Sequence, residues 1–282
     1  MRLVDVSYIS PSQASTLTLC ERRWWHKYVD GMEEDPTEAL AMGGGLAEAH
    51  EFGIERGIEE YHARRPKPDP VFTDPDADLR DMVAAEEIIR AAHAGYLLRY
   101  GAGDRRANLV REVPYLVRIE GAARFLQVRV DGVADTYLVE DKLRSGTSMR
   151  EEALTNERMQ GRQLTAEIYV AWRATGELRP VKLRCMKKPD PRTLRAAWKD
   201  AGAADIAALV SDHFAKDSSW VELPAERTLE QLDAFEEEVR DLCDRLDKLD
   251  FDDRPRGIRN TDACRAYGRA CPALELCHGR GA

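Results

Sequence analysis

The chain contains no long apolar run. None of its hydrophobic stretches approaches the ~20 residues that a helix needs to cross a bilayer. The opening sequence, MRLVDVSYISPSQ, also has no apolar segment of the kind that secretory signals carry. We therefore expect a cytoplasmic location and no contact with a membrane.

Positive charge is scarce relative to negative charge. The 282 residues include 42 basic and 51 acidic side chains, which gives a net charge of −9. This balance argues against a protein that coats nucleic acid through bulk charge, although a local basic groove is compatible with it. A hydrophobic content of 43% is enough for a substantial core, and the length suits one large domain or two small ones.

The stretch 128–146, VRVDGVADTYLVEDKLRSG, predicts two short strands joined by a tight turn. Apolar and polar residues alternate along it with the period of two that is typical of half-buried strands. Asp135 favours a reversal of the chain, so we place the turn at residues 134–137 and pair Ala134 with Tyr137.

This register brings charged residues together. Asp131 falls directly opposite Glu140, and Lys142 lies on the same face as Glu140. Two facing carboxylates repel each other unless a cation lies between them, and a hard divalent cation such as Mg²⁺ prefers oxygen ligands. The lysine could orient or deprotonate an attacking water, or stabilise charge on a phosphate. The simpler alternative is a surface hairpin with mixed charges.

Cysteine is concentrated near the C-terminus. Three of the six cysteines are Cys264, Cys271 and Cys277. In a reducing compartment, cysteines are metal ligands or buried apolar residues more often than disulfides. Three thiolates need a fourth ligand to complete a tetrahedral zinc site, for which His278 is a candidate, or a four-iron cluster. Thiolates suit both metals, so the chemistry alone leaves the choice open.

Helical and strand-like periodicities alternate along the rest of the chain. We expect helices over 10–29, 38–65, 78–100, 149–175 and 228–249, and strands over 109–119, 124–131 and 181–188. Strands at mid-chain between helices indicate an α/β core. The three glycines at 43–45 predict either a break in the second helix or a close approach of two backbones.

The pattern of Asp131 followed by Glu140-x-Lys142 across a hairpin resembles the PD-(D/E)XK nuclease superfamily. The resemblance implies a restriction-endonuclease-like α/β core, with a mixed central sheet flanked by helices. It also implies that Asp131 and Glu140 bind Mg²⁺ or Mn²⁺ and that Lys142 is catalytic. RecB-like members often carry Gly-x-x-Asp on the first strand, which Gly132 and Asp135 match. Asp135 is therefore the rival of Asp131, and the hairpin geometry favours Asp131.

The opening segment resembles the start of RecB/AddB-like and CRISPR-associated exonucleases. In those proteins, a cysteine at the position of Cys20 is the first ligand of an iron–sulfur cluster. The resemblance implies a [4Fe–4S] cluster held by Cys20, Cys264, Cys271 and Cys277. Such a cluster would staple the N-terminal and C-terminal regions together.

Two further residues match the superfamily in chain order. Gly45 followed by His50 resembles a glycine-rich helix start with a metal-proximal histidine, although a lone histidine on a helix is more often packed or solvated. RecB-like nucleases carry Gln-x-x-x-Tyr after the catalytic strand. Gln163 matches the glutamine and is expected to orient the lysine or the DNA, whereas Tyr169 lies six positions on and departs from the pattern. A solvated helix face that includes Gln160 is the simpler alternative.

A basic stretch follows the strand at 181–188. Its members are Arg184, Lys187, Lys188, Arg192 and Arg195. Nuclease substrates need a positive patch of this kind for phosphate contacts, and an ordinary solvated face is the alternative.

Together these features predict a single nuclease domain over 1–282. Residues 1–100 would form a helical part with the first cluster cysteine, 101–200 the catalytic core, and 201–282 a helix and the cysteine-rich tail. The expected activity is that of a metal-dependent DNA exonuclease on single-stranded ends, in recombination, repair or phage DNA metabolism, with room for a protein partner. The alternatives are a catalytically silent DNA-binding or recombination-partner module, and a zinc-stapled protein without nuclease activity.

Overall fold

The computed structural model describes residues 7–32, 34, 37–67, 74–201, 203–249, 264, 271–273 and 277. Within them, six strands form one sheet: β1 (Tyr8–Ile9), β2 (Val110–Arg118), β3 (Phe125–Val133), β4 (Leu138–Arg144), β5 (Val181–Lys187) and β6 (Trp220–Ala225). The strand order is β1-β3-β4-β5-β6, and β2 pairs with β3. The pairs β1–β3 and β4–β5 are parallel and the others antiparallel, so the sheet is mixed.

Helices cover both faces of this sheet. They are α1 (Pro11–Leu19), α2 (Glu21–Tyr28), α3 (Glu38–Phe52), α4 (Ile54–Arg64), α5 (Pro75–Tyr96), α6 (Ala102–Arg106), α7 (Glu151–Gln160), α8 (Arg162–Thr175), α9 (Pro191–Ala201), α10 (Ala203–Ala215) and α11 (Leu229–Asp247). One apolar cluster joins α1, α2, α8 and α11 to the sheet, and a second joins α3, α4, α5, α9 and α10 to it. The predicted α/β class, with a mixed sheet flanked by helices, is confirmed.

Three predicted helices are each broken in two. The predicted helix 10–29 breaks at Cys20, whose backbone is extended (φ −164°, ψ 115°). The predicted helix 38–65 breaks at Gly53, where φ is +98°, and the predicted helix 149–175 breaks at Gly161. A positive φ is a conformation that glycine adopts without strain, so Gly53 turns the chain back and α4 packs against α3.

The triple glycine lies inside α3 and does not break it. Gly45 instead allows α3 and α4 to touch, because a Cβ at this position would lie 2.7 Å from the carbonyl oxygen of Gly57. Of the two predicted roles, close backbone approach is therefore confirmed and the helix break is wrong. Strands β1 and β6 were missed, since β1 has two residues and the alternation in β6 includes Pro224.

No helix of the described ranges is long and apolar enough to cross a membrane.

Candidate active site

The β3–β4 hairpin has the register that the sequence predicts. Gly132 pairs with Val139 and Val133 with Leu138, and the amide of Ala134 donates to the carbonyl of Tyr137 at 2.9 Å. Beyond Gly132 the two strands are no longer paired through their backbones. The Asp131 side chain replaces the missing backbone pairing, because its Oδ2 accepts a hydrogen bond from the backbone amide of Asp141 at 3.0 Å.

Glu140, Lys142 and Gln163 form one connected group. Lys142 makes an ion pair with Glu140 Oε1, and the same oxygen accepts a hydrogen bond from Gln163 Nε2 at 2.7 Å. The other end of the Gln163 amide accepts from Lys142 Nζ at 3.0 Å. Gln163 at the start of α8 thus holds the lysine and the glutamate of β4 together. Gln163 is itself an exposed residue, and its role in orienting the lysine or the DNA stays a prediction.

Glu167 completes this group, and the sequence prediction did not include it as a site residue. It lies one turn after Gln163 on α8, is fully buried, and neighbours Glu140 and Gln163. Among the described residues, neither of its carboxylate oxygens has a donor in hydrogen-bond geometry, and Glu140 Oε2 also lacks one. The shared helix face of Gln163 and Glu167 was the available signal, but burial could not be read from it.

Burial and mutual repulsion shift the pKa values of these carboxyl groups upward. Burial raises the pKa of Glu167 to about 8. Burial raises the pKa of Glu140 well above its usual value, and the charge of Glu167 raises it further. Burial also raises the pKa of Asp131 well above its usual value, and the charges of Glu140 and Asp141 raise it further. For Lys142, burial favours a lower pKa, but the Glu140 carboxylate outweighs it and the net pKa is raised. Lys142 is therefore an ammonium group at neutral pH.

His50 lies on the other side of Asp131. A cavity of about 40 Å³ is lined by His50, Asp131, Asp141 and Arg111 among others. Asp141 Oδ2 accepts from Arg111 at 2.6 Å and lies 3.5 Å from His50 Nδ1. Burial lowers the pKa of His50, and its Nε2 is buried with no hydrogen-bond partner. His50 thus lies beside Asp131 in this cavity, and its predicted proximity to a bound metal stays a prediction.

Arg184 belongs to a buried network and not to a basic surface. Its guanidinium donates to both carboxylate oxygens of Asp104 at 2.9 Å and to Glu222 at 2.9 Å. The side chain is 3% exposed. The proposal that Arg184 contacts phosphate is therefore wrong, since its charge is already neutralised inside the protein.

Two other candidates lie away from the acidic cluster. Asp135 is exposed in the hairpin turn, where its carboxylate accepts from Asn108 Nδ2 at 2.8 Å. Tyr169 is buried against α11, and its hydroxyl donates to Glu236 at 2.7 Å. The departure of Tyr169 from the expected spacing thus coincides with a position outside the site.

The cysteines of the chain ends come near one another. Burial raises the pKa of the Cys277 thiol, and Cys20, Cys271 and Cys264 raise it further. The pKa of Cys271 is raised by burial and by Cys264 and Cys20. The amide of Cys271 donates to the Cys264 carbonyl at 2.8 Å. His278, the alternative zinc ligand, lies outside the described residues.

The described part of the chain contains no group of three or more His, Cys, Asp or Glu side chains that could hold a metal ion as they stand. The chemistry of the donor set nevertheless fits a cation. Glu140 and Glu167 are fully buried with the half-buried Asp131 beside them, and Lys142 is a counter-charge to the group; among the described residues, three oxygens of the two glutamates have no hydrogen-bond partner. Burying unpaired carboxylates is costly, and a divalent cation removes that cost.

Comparisons with known proteins agree with this architecture. A model of the PD-(D/E)XK nuclease superfamily matches residues 8–278. A crystal structure from Eubacterium rectale, of a protein provisionally named an exonuclease, superposes with a TM-score of 0.56 at 13% identity, over 93% of this chain and 88% of that chain. At this identity the likeness concerns the fold alone.

A second solved structure, SSO0001, covers 81% of this chain and 84% of its own at 12% identity, but its TM-score of 0.31 is too low to support an argument. No curated protein matches the chain significantly. Because the superfamily match spans nearly the whole chain and the mixed sheet agrees with it, the chain belongs to the PD-(D/E)XK nuclease superfamily.

Proposed function

We propose that the protein is a metal-dependent deoxyribonuclease that acts as an exonuclease on single-stranded DNA ends. The observation that carries the proposal is the hairpin itself. It brings the half-buried Asp131 close to the fully buried Glu140, with which Lys142 forms an ion pair. A silent binding module has no need to hold two neighbouring carboxylates beside a lysine.

Asp131 and Glu140 are the proposed ligands of Mg²⁺ or Mn²⁺, and His50 lines the cavity next to Asp131. When bound, the cation would supply Lewis-acid stabilisation of the phosphate and a more acidic water. Lys142 would place positive charge beside the phosphate on which negative charge develops, or help to position the attacking water. Gln163 fixes the direction of the Lys142 ammonium group through its amide oxygen.

The burial of the site favours a single strand as substrate. Glu140 is fully buried and Lys142 is only partly accessible, so a scissile phosphate must enter a recess. A cleft of about 520 Å³ opens next to Gln163, with Arg129 and the hydroxyls of Ser10 and Ser12 in its lining. A flexible strand end can enter such a cleft, whereas a duplex would first have to separate.

The same proposal includes a [4Fe–4S] cluster on Cys20, Cys264, Cys271 and Cys277, within one domain over 1–282. What supports it is that the two chain ends meet, since the side chain of Arg22 donates to the Cys277 carbonyl at 3.5 Å. Four thiols are a donor set that suits such a cluster. Its role would be to fasten the two ends of the domain.

The test is a degradation assay with end-labelled single-stranded and duplex DNA, on protein purified without oxygen. We expect release of label with Mg²⁺ or Mn²⁺ and none with EDTA. Asp131→Asn, Glu140→Gln and Lys142→Ala should each lower the rate about 10²–10³-fold, on the scale seen when a group that stabilises transition-state charge is removed. Asp135→Asn is the matched control and should retain the wild-type rate. Normal cleavage by Asp131→Asn would show that the assigned site is wrong.

A further inference from the structure

A groove lies at the carboxyl ends of the parallel strands β4 and β5. It has a volume of about 790 Å³, and its lining includes Ser145 after β4, Lys187 and Lys188 at the end of β5, His213 in α10 and Lys216 directly after α10. Arg150 contributes from the start of α7. We call this feature the β4–β5 groove.

The charge of the β4–β5 groove is opposite to that of the protein. Its lining includes four basic residues, Arg150, Lys187, Lys188 and Lys216, and a single acidic residue, Asp190. The whole chain carries a net charge of −9. A local excess of positive charge on an acidic protein creates a potential that attracts an anion.

Within the described ranges, none of these four basic side chains forms an ion pair, although most other arginines of the fold do. The nearest carboxylate influence is on Lys188, which feels the charge of Glu38. Asp190 Oδ1 instead accepts a hydrogen bond from the backbone amide of Arg192 at 2.8 Å. The positive charge of the groove is therefore not neutralised from within.

The walls of the groove are held in place by the fold. His213 Nε2 lies 2.7 Å from the carbonyl oxygen of Lys187, which fastens α10 to the end of β5. Lys188 is partly buried, and its amide donates to the carbonyl of Arg144 at 2.7 Å. Two of the lysines thus project from backbone that is fixed to neighbouring elements.

We propose that the β4–β5 groove binds the phosphodiester backbone of the nucleic-acid strand that passes the active site. The inference rests on the proposed function and adds the path of the substrate to it. Ser145 lies three residues after Lys142, about 10 Å along the chain at ~3.3 Å per residue. The groove therefore contacts phosphates a short distance beyond the one that lies at Lys142.

The lining also defines the mode of recognition. It contains no Trp, Tyr or Phe among the described residues on which a base could stack. Lysine contacts to phosphate position a strand without reading its sequence, whereas base stacking needs aromatic platforms. The groove accordingly binds the backbone irrespective of sequence.

The salt dependence of DNA binding tests this proposal. Binding of a labelled single-stranded oligonucleotide is measured by fluorescence anisotropy between 50 and 300 mM NaCl in an Asp131→Asn background, which is expected to cleave far more slowly, with EDTA present. The variant Lys187→Gln/Lys188→Gln/Lys216→Gln removes three cations. Each phosphate contact with a single strand contributes about 0.7 to the slope of log K against log salt, so the slope should become shallower by about 2. Lys216→Gln alone should reduce it by about 0.7.

The control removes the same charge elsewhere. Arg105→Gln/Arg106→Gln/Arg118→Gln changes three exposed residues that are not part of the groove lining. We expect its slope to equal that of the background protein. Equal slopes for the groove variant and this control would overturn the proposal. It would also be overturned if the lysine substitutions weakened the binding of poly-glutamate but left the binding of DNA unchanged.

A second readout separates the groove from the active site. The groove variant without the Asp131 substitution should cleave a small substrate, thymidine 5′-(p-nitrophenyl phosphate), at the wild-type rate, because this molecule does not extend to the groove. Its KM for a long oligonucleotide should rise at least ~10-fold. Failure of the wild type to cleave either substrate, with normal salt-dependent binding, would refute the proposed function and leave the groove intact.

Discussion

Glu167 provides a direct test of the electrostatics of the site. Its fully buried carboxyl group has a pKa of about 8 because burial disfavours the charged form. The ordinary value for glutamate is 4.5. Between these two pH values the folded protein holds a proton on Glu167 that the unfolded chain has released. The stabilisation of the folded state by this proton is therefore fully present below pH 4.5 and is lost as the pH rises towards 8.

The size of this effect follows from the proton linkage. One proton changes the free energy of unfolding by about 1.4 kcal/mol per pH unit, which amounts to about 3 kcal/mol between pH 5 and pH 7. Glu167→Gln keeps the shape of the side chain but cannot titrate. Relative to wild type, the metal-free variant should gain about 3 kcal/mol across this window, or about 6–12 °C in Tm at the 2–4 °C per kcal/mol of a large domain.

The assay is unfolding in guanidinium chloride with EDTA, followed by circular dichroism at several pH values between 5 and 8. Glu152→Gln, on an exposed position of α7, is the control and should give a curve parallel to that of wild type. A difference between Glu167→Gln and wild type that stays constant with pH would refute the reasoning, since it would mean that Glu167 is ionised in the folded protein.

Two further predictions concern packing and the cysteines. Gly57→Ala should destabilise the protein by about 1–3 kcal/mol, because its Cβ would lie 2.5 Å from a carbonyl oxygen of α3. Gly43→Ala, which meets nothing within 4 Å, should be neutral or stabilising, and thermal melting of the two variants decides this. Cys271→Ser should lose iron and lower the Tm together, as measured by metal analysis after anaerobic purification. Cys185→Ala, a buried cysteine of β5, should keep its iron, and a full iron content in Cys271→Ser would exclude that residue as a ligand.

The hairpin was predictable because its information is local. Alternation with a period of two and a turn-forming aspartate determine which residues face each other over a short stretch of chain. The opposition of Asp131 and Glu140 follows from that register, and the structure has the same register. The α/β class was predictable for the same reason, since it depends on the order of helical and strand-like segments.

The helix breaks were not predictable from periodicity. The apolar pattern continues through Cys20 and Gly161, although the backbone is extended at both positions. At Gly53 the positive φ reverses the chain, and the reversal brings Gly45 of α3 against Gly57 of α4. Helical spacing records which face is apolar but not where tertiary packing turns the chain.

Buried charge was the other feature that the sequence concealed. The sequence suggests that Arg184 belongs to a basic surface, but in the structure Asp104 and Glu222, from elements distant along the chain, form ion pairs with it. The sequence suggests that Glu167 is a polar residue on a helix face, but in the structure that face packs against the sheet beside Glu140. Neither burial nor the identity of a counter-charge is encoded in a residue's neighbours along the chain.

The sequence by itself therefore determined the strand register, the order of elements and the residue types that suggest nuclease chemistry. Only the tertiary structure decided which polar groups share a buried site, which cations are already neutralised, and which face a groove unpaired. The physical reason is that periodicity and turn propensity act over a few residues, whereas the desolvation and pairing of charges depend on segments that meet only when the chain has folded.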